Sequence, residues 1–227
     1  MAYLGAFNRT YALDFWGFGE SGKKRDTYAV SDFVSLVNQF MEQLGIVHAP
    51  LVGHSMGGTV SLSVAIKYPE RVSKVVVVGS PIVGSSLAPL LKLSGYRPIA
   101  FMLFNMMGVF RAGMKIYSPY ICRDPRFPEM MDRDLSRTTV ESFLRSIASL
   151  RRTDLIPVLP QIKVPVMGMY GDKDVIVHPS QWQPLQKGIP HAVIERFPTA
   201  GHFIMLEEPT TFSQKLKTFL DQESPSS

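Results

Sequence analysis

The chain has 227 residues, of which 45% are hydrophobic and 19% are charged, and its formal net charge at pH 7 is +5. This length and composition predict one globular unit with a sizeable core, with room for an inserted subdomain, and they exclude an intrinsically disordered chain. The basic residues are scattered without interleaved aromatic residues, which argues against nucleic acid as a partner.

Two features of the sequence bear on location. The single cysteine, Cys122, cannot form an internal disulfide, which favours a reducing compartment and hence the cytoplasm. No signal peptide is visible at the N-terminus, and the apolar stretch Pro98–Phe110 is broken by Asn105 and is too short to span a bilayer.

Predicted strands and helices alternate along most of the chain. The strands are short apolar or β-branched runs, at Thr10–Asp14, Pro50–Val52, Val72–Val78, Val164–Tyr170 and Ala192–Phe197. The helices are Val30–Leu44 with Ser31 as its cap, Thr59–Tyr68, Ser180–Lys187 and Pro209–Leu220. This alternation predicts an α/β fold, in which a mostly parallel sheet is flanked by helices on both faces.

The segment Pro81–Pro160 breaks the alternation. It contains no convincing strand, is rich in Met, Phe and Leu, and has predicted helices at Arg97–Lys115 and Thr139–Arg151. We expect a helical lid over residues 81–160, inserted into a core formed by residues 1–80 and 161–227. Its soft apolar side chains either shape a hydrophobic substrate pocket or form the insertion's own core. They are Met102, Phe104, Met106, Met107 and Phe110.

The segment Gly53–Gly58 reads G-H-S-M-G-G and lies between a predicted strand and a predicted helix. In that context a G-x-S-x-G pattern predicts a nucleophilic serine, Ser55, on a sharp strand-to-helix turn. Gly53 and Gly57 are expected to remove collisions with the neighbouring strand and helix. The helix behind Ser55 directs its N-terminal amides toward the place where negative charge develops on a substrate. The spacing does not match that of a phosphate-binding loop.

A nucleophilic serine needs a general base, and His202 is the best candidate among the five histidines. It lies in a glycine-containing loop after the last predicted strand, from which a side chain can reach back over the sheet edge. We expect His48 to be a loop residue, His178 and His191 to be surface residues, and the side chain of His54 to point away from the attacking face.

The base in turn needs a carboxylate, which fixes its tautomer and stabilises the imidazolium that forms during attack. Asp172 and Asp174 both follow the predicted strand that ends at Tyr170, and the residues by themselves leave this choice open. The resulting chain order, Ser then Asp then His, is the order expected of one particular architecture.

Four segments of the chain resemble the α/β-hydrolase superfamily, in its lid-bearing branch of esterases, C–C hydrolases and cofactor-free haloperoxidases. Asp14–Ser21 resembles the family's D-x-x-G-x-G-x-S turn after the fourth strand, and Gly53–Gly58 resembles its nucleophile elbow. Gly171–Asp174 resembles the acid loop, in which the second aspartate matches the triad position. Gly201-His202 resembles the family's terminal G-H.

This resemblance implies a serine hydrolase of the carboxylesterase type, with a catalytic triad of Ser55, Asp174 and His202. The backbone N–H of Met56 is then an oxyanion donor, and the substrate is a small, partly hydrophobic ester or related acyl compound. No metal or organic cofactor is implied. Two alternatives remain on the same scaffold: C–C bond hydrolysis of a diketone-like substrate by the same residues, and a catalytically impaired or ligand-binding protein.

The resemblance has one gap, because the family's first three strands and the His-Gly loop after the third have no counterpart. That loop donates the second oxyanion N–H in the family, and no histidine here precedes His48. We therefore expect an N-terminally truncated fold in which Met1 is an internal methionine of a longer protein. The alternative is a naturally shortened chain with an incomplete oxyanion hole. Without these strands we expect a hydrophobic sheet edge to be exposed.

Overall fold

A computed structural model describes residues 2–23, 27–89, 91, 113 and 116–222. Within these residues the sheet has four parallel strands, in the spatial order of their numbers. They are β1 Ala49–His54, β2 Val72–Val78, β3 Val166–Gly171 and β4 Val193–Phe197. These four predicted strands are confirmed, with small shifts at their ends.

The predicted helices of the core are also present. The described helices include α1 Ala2–Gly5, α2 Val30–Gln43, α3 Met56–Lys67, α4 Phe127–Ser136, α5 Val140–Arg151, α6 Trp182–Gly188, α7 Ile204–Glu207 and α8 Pro209–Asp221. The prediction that Ser31 caps α2 is wrong, because the helix begins at Val30 and Ser31 lies inside its first turn. Asp32 instead accepts a hydrogen bond from the Ala29 N–H at 2.7 Å. In the described part of the chain, no helix has the length and apolarity needed to cross a membrane.

The sheet is covered on both faces, and β2 contributes to both layers because successive strand side chains point in opposite directions. Val75 and Val77 belong to a core cluster with α2, α3 and α6, whereas Val76 and Val78 belong to a second cluster with α8. Each of these four valines is at most 1% exposed. The predicted parallel sheet between two helical layers is therefore confirmed.

The predicted strand at Thr10–Asp14 is wrong. A strand requires a hydrogen-bonded neighbour, and this segment pairs with no strand among the described residues. Its position is supported by a ring contact, in which Tyr11 packs edge-on against Phe40 of α2 at a centroid distance of 5.8 Å. Strand β1 therefore forms the edge of the described sheet, where Val52 is 46% exposed.

The turn at Asp14–Ser21 closes on itself and contacts the insertion. The Ser21 hydroxyl donates to the Asp14 carbonyl at 2.6 Å. The carbonyl of Gly17 accepts a hydrogen bond from the Ser142 hydroxyl of α5 at 2.8 Å. This turn consequently links the N-terminal part of the chain to the segment between β2 and β3.

The insertion between β2 and β3 is described in part. It contains α4, α5 and a helical segment at 116–121. The predicted helix at Thr139–Arg151 is confirmed, with Thr139 as its N-cap. Apart from residue 113, the predicted helix at 97–115 lies outside the described residues, and so do the five apolar residues Met102, Phe104, Met106, Met107 and Phe110.

Gly53 and Gly58 allow β1, α3 and the loop after β2 to approach each other closely. A Cβ built on Gly53 would lie 2.2 Å from the carbonyl group of Gly57, and one built on Gly58 would lie 2.0 Å from Ser80 Oγ. A Cβ on Gly57 would meet no described atom within 4 Å. The predicted role of Gly57 in avoiding a collision is therefore wrong, because its Cβ direction leads into open space, and Gly58 has that role instead.

We expect Gly58→Ala to destabilise the protein by about 1–3 kcal/mol, because the added methyl group overpacks the contact with Ser80. Gly57→Ala is the matched control in the same helical turn. There we expect unchanged or slightly higher stability, since alanine is favoured over glycine in a helix by up to about 1 kcal/mol. Urea unfolding of both variants measures the free energies, and equal losses would contradict the packing at Gly58.

Candidate active site

The three predicted catalytic residues lie in loops that leave the same edge of the sheet. Ser55 directly follows β1, Asp174 follows β3 and His202 follows β4. Because all four strands are parallel, these loops lie at their carboxyl ends, where open α/β sheets form their ligand sites.

Ser55 has a strained backbone at the turn between β1 and α3. Its φ is 52°, and it is the one residue other than glycine with positive φ in the described ranges. Such a conformation costs on the order of 1–3 kcal/mol and is concentrated at functional sites. The Ser55 N–H donates to the Val78 carbonyl of β2 at 2.8 Å, which holds the turn against the sheet. Met56 is the first residue of α3, so its N–H has no acceptor within the helix.

Asp174 and His202 form a buried hydrogen-bonded pair. His202 Nδ1 lies 2.7 Å from Asp174 Oδ2, and the two side chains are 4% and 3% exposed, respectively. The other carboxylate oxygen of Asp174 accepts from the backbone N–H groups of Ile176 and Val177 at 2.8 and 2.9 Å. A carboxylate oxygen accepts, so Nδ1 carries the proton and Nε2 of His202 is left as a proton acceptor.

The neighbouring Asp172 is placed differently. Its carboxylate receives two hydrogen bonds from the guanidinium of Arg196, at 3.0 and 2.8 Å. The Arg196 side chain is 50% exposed, so this pair lies at the surface. Asp174, the aspartate that the family resemblance favoured, is therefore the one that contacts His202.

Gly79 is a site residue that the sequence analysis missed. It follows β2, has a φ of 54°, and donates its N–H to the Met169 carbonyl of β3 at 2.8 Å. A Cβ built there would lie 3.2 Å from His202 Nδ1 and 3.4 Å from Asp174 Oδ2. The sequence did offer a signal for Gly79, because this glycine directly follows the predicted strand Val72–Val78, which comes next in the chain after the strand before Ser55.

The other histidines divide into two groups. His48 lies in a loop, and His178 and His191 are exposed, as predicted. His54 contacts the candidate base, with its ring centroid 4.6 Å from that of His202. The sequence analysis did not foresee this contact.

The described part of the insertion reaches the His202 loop. Phe203 packs against Phe127 of α4 with ring centroids 4.5 Å apart, and it also contacts the His202 ring at 5.2 Å. Ile121 and Cys122 are buried in the same small apolar cluster. Within the described ranges, no group of three or more His, Cys, Asp or Glu side chains is placed to hold a metal ion.

Known proteins resemble this chain in sequence and in fold. The chain is 30% identical over 233 residues to a 2-hydroxy-6-oxononadienedioate/2-hydroxy-6-oxononatrienedioate hydrolase of Paraburkholderia phymatum, covering 97% of this chain and 79% of the relative. It is 26% identical over 214 residues to 3-oxoadipate enol-lactonase 2 of Acinetobacter baylyi, covering 91% of this chain and 76% of the relative. A solved esterase from Exiguobacterium antarcticum superposes with a TM-score of 0.78 at 21% identity, over 92% of this chain and 80% of the esterase.

The parallel sheet, the strained turn and these relatives define an enzyme of the α/β-hydrolase superfamily. Residues 7–209 match the Hydrolase_4 family, which is described as Serine aminopeptidase, S33, and the chain belongs to this family.

We expect Asp174→Asn to lower the turnover of an activated ester on the order of ten-thousandfold, because the amide no longer selects the required tautomer of His202. Asp172→Asn is the matched control two residues away. Since its partner Arg196 is half-exposed, we expect that variant to keep activity within about a factor of three. A comparable loss in both variants, measured by p-nitrophenyl ester hydrolysis, would reject Asp174 as the acid.

Proposed function

We propose that this protein is a serine hydrolase in which Ser55 is the nucleophile, His202 the general base and Asp174 the residue that orients His202. The observation that carries the proposal is the buried 2.7 Å hydrogen bond between Asp174 and His202, at the sheet edge from which the strained Ser55 projects. A serine on a strained strand-to-helix turn and a His–carboxylate pair are the arrangement that α/β-hydrolases use for acyl transfer.

The proposed reaction has two stages. Ser55 Oγ attacks the acyl carbonyl carbon while His202 Nε2 takes the hydroxyl proton, and the Met56 N–H donates to the oxygen that becomes negative. The tetrahedral intermediate then expels the leaving group, which receives the proton from His202, and an acyl-enzyme remains. Water attacks this ester with His202 again accepting the proton. The carboxylic acid is released and Ser55 recovers its proton.

The proposed substrate is a small, partly hydrophobic ester or related acyl compound, and residues 81–160 form a lid over it. The contact between Phe127 and Phe203 supports this role, because it places an apolar part of the insertion beside the His202 loop. A cytoplasmic location is also proposed, supported by the single buried cysteine, Cys122.

A second candidate function is C–C bond hydrolysis of a diketone-like substrate. The relative from Paraburkholderia phymatum supports it, since its name denotes a hydrolase of compounds that carry a 2-hydroxy and a 6-oxo group. The same triad serves this reaction: Ser55 attacks the ketone, the adjacent C–C bond breaks, and the carbon leaving group receives the proton held by His202. A ketone conjugated with the breaking bond takes up its electron pair as the bond breaks, and water then hydrolyses the acyl-Ser55 ester with His202 as the base.

We expect a fluorophosphonate probe to label the parent protein at Ser55 and to leave Ser55→Ala unlabelled, because alanine offers no oxygen to the phosphorus. Ester turnover should fall on the order of a millionfold in the same variant. Ser63→Ala, on α3 in the same part of the fold, is the control and should label like the parent. A labelled Ser55→Ala, or a folded parent that takes no label, would refute the proposal.

The ratio of kcat/KM for two substrates distinguishes the two candidate reactions. We expect kcat/KM for p-nitrophenyl esters to exceed that for a 2-hydroxy-6-oxo-dienoate, whose cleavage removes its conjugated absorbance. If kcat/KM for the dienoate is the higher by more than about a hundredfold, the C–C hydrolase assignment replaces the esterase assignment. A ratio of that size requires specific contacts with the substrate. Ser55→Ala should abolish both activities.

A further inference from the structure

His54 directly precedes the nucleophile and binds the backbone of the candidate base. It is the last residue of β1, and its Nε2 lies 2.9 Å from the carbonyl oxygen of His202. Its ring also packs against the rings of His202 and Phe203, at centroid distances of 4.6 and 4.9 Å. The elbow and the base loop are thus joined by one side chain, across 148 positions of sequence.

The partner of His54 determines its protonation. A carbonyl oxygen can only accept a hydrogen bond. Nε2 of His54 therefore carries a hydrogen and donates a hydrogen bond to the backbone carbonyl of His202. Burial of the ring, and then repulsion from His202, lowers the pKa of His54 from the usual 6.5 to about 3. His54 is therefore neutral at the pH values where hydrolases work. A charged ring there would oppose the imidazolium that His202 becomes during attack.

Three side chains hold the Gly201–His202 segment, two of them at His202 itself and one at Gly201. Asp174 accepts from the ring at Nδ1, Glu207 accepts from the Gly201 N–H just before it, and His54 donates to the carbonyl just after the Cα of His202. Asp174 follows β3 and Glu207 belongs to α7, whereas His54 is adjacent to Ser55 itself. Of the three, His54 alone connects the base loop to the chain segment that carries the nucleophile.

We propose that His54 is a positioning residue, which sets the separation between Ser55 and His202 through its hydrogen bond to the His202 carbonyl. This inference rests on the proposed triad. Ser55 and His54 are consecutive, so the bond leaves few freely rotating torsions between the nucleophile and the backbone of its base. A displacement of about 1 Å between reacting groups can cost a hundredfold in rate.

The test compares three variants of His54. The amide nitrogen of glutamine lies as many bonds from Cβ as Nε2 of histidine, so His54→Gln keeps a donor at the His202 carbonyl. His54→Asn places its amide one bond short, and His54→Phe keeps a ring without a donor. We expect His54→Gln to retain the fluorophosphonate labelling rate within about threefold. His54→Asn and His54→Phe should each label about tenfold to a hundredfold more slowly. The loss should lie in kcat for an ester, with KM unchanged.

His191→Phe is the matched control, because His191 Nε2 contacts the Val164 carbonyl at 3.1 Å on an exposed surface away from Ser55. It should label like the parent. The inference is overturned if His54→Asn and His54→Phe label as fast as the parent, or if His54→Gln loses as much labelling rate as His54→Asn. It is also overturned if near-UV circular dichroism shows that all three His54 variants fail to fold. A parent that takes no label refutes the proposed triad instead, so the two failures are distinguishable.

Discussion

The junction of β1, α3 and the loop after β2 is the constraint on which the rest of the site depends. Ser55 leaves the strand at a φ of 52°, and its N–H is held by the Val78 carbonyl. The chain can reverse there because Gly53 and Gly58 lack a side chain. A Cβ on Gly53 would lie 2.2 Å from Gly57, and a Cβ on Gly58 would lie 2.0 Å from Ser80 Oγ. The nucleophile, the N-terminus of α3 and the carboxyl edge of the sheet are brought together by this packing, and the conformational strain is held by the surrounding core.

The side of the site formed by Asp174 and His202 is held mainly by polar contacts. Asp174 is buried, and its two oxygens are satisfied by the His202 ring and by two backbone N–H groups, so the cost of burying a carboxylate is offset. Glu207 binds the backbone N–H of Gly201, and His54 binds the carbonyl of His202. A loop that contains a glycine would otherwise sample many conformations. Phe203 then continues the contact into the insertion, where it packs on Phe127.

Most of the sheet could be predicted because its signals are local. The valine run of β2 and the short apolar runs of the other strands carry their own pattern, and the G-x-S-x-G motif lies between a strand and a helix as expected. The prediction failed where the outcome depends on a distant partner. Thr10–Asp14 has the composition of a strand but no paired neighbour among the described residues, and Gly57 and Gly58 are indistinguishable until Ser80 packs beside one of them.

The amino-acid sequence by itself determined the alternating fold, the identity of Ser55 and His202 as candidates, and the chain order that relates this protein to the α/β-hydrolases. Only the tertiary structure decided that Asp174 contacts His202 while Asp172 pairs with Arg196 at the surface. It also decided that His54 contacts the base and that Gly79 lies beneath it. The reason is geometric: a motif records residue types along one segment, whereas each of these contacts joins residues from different strands or loops, and only the folded sheet sets their separation.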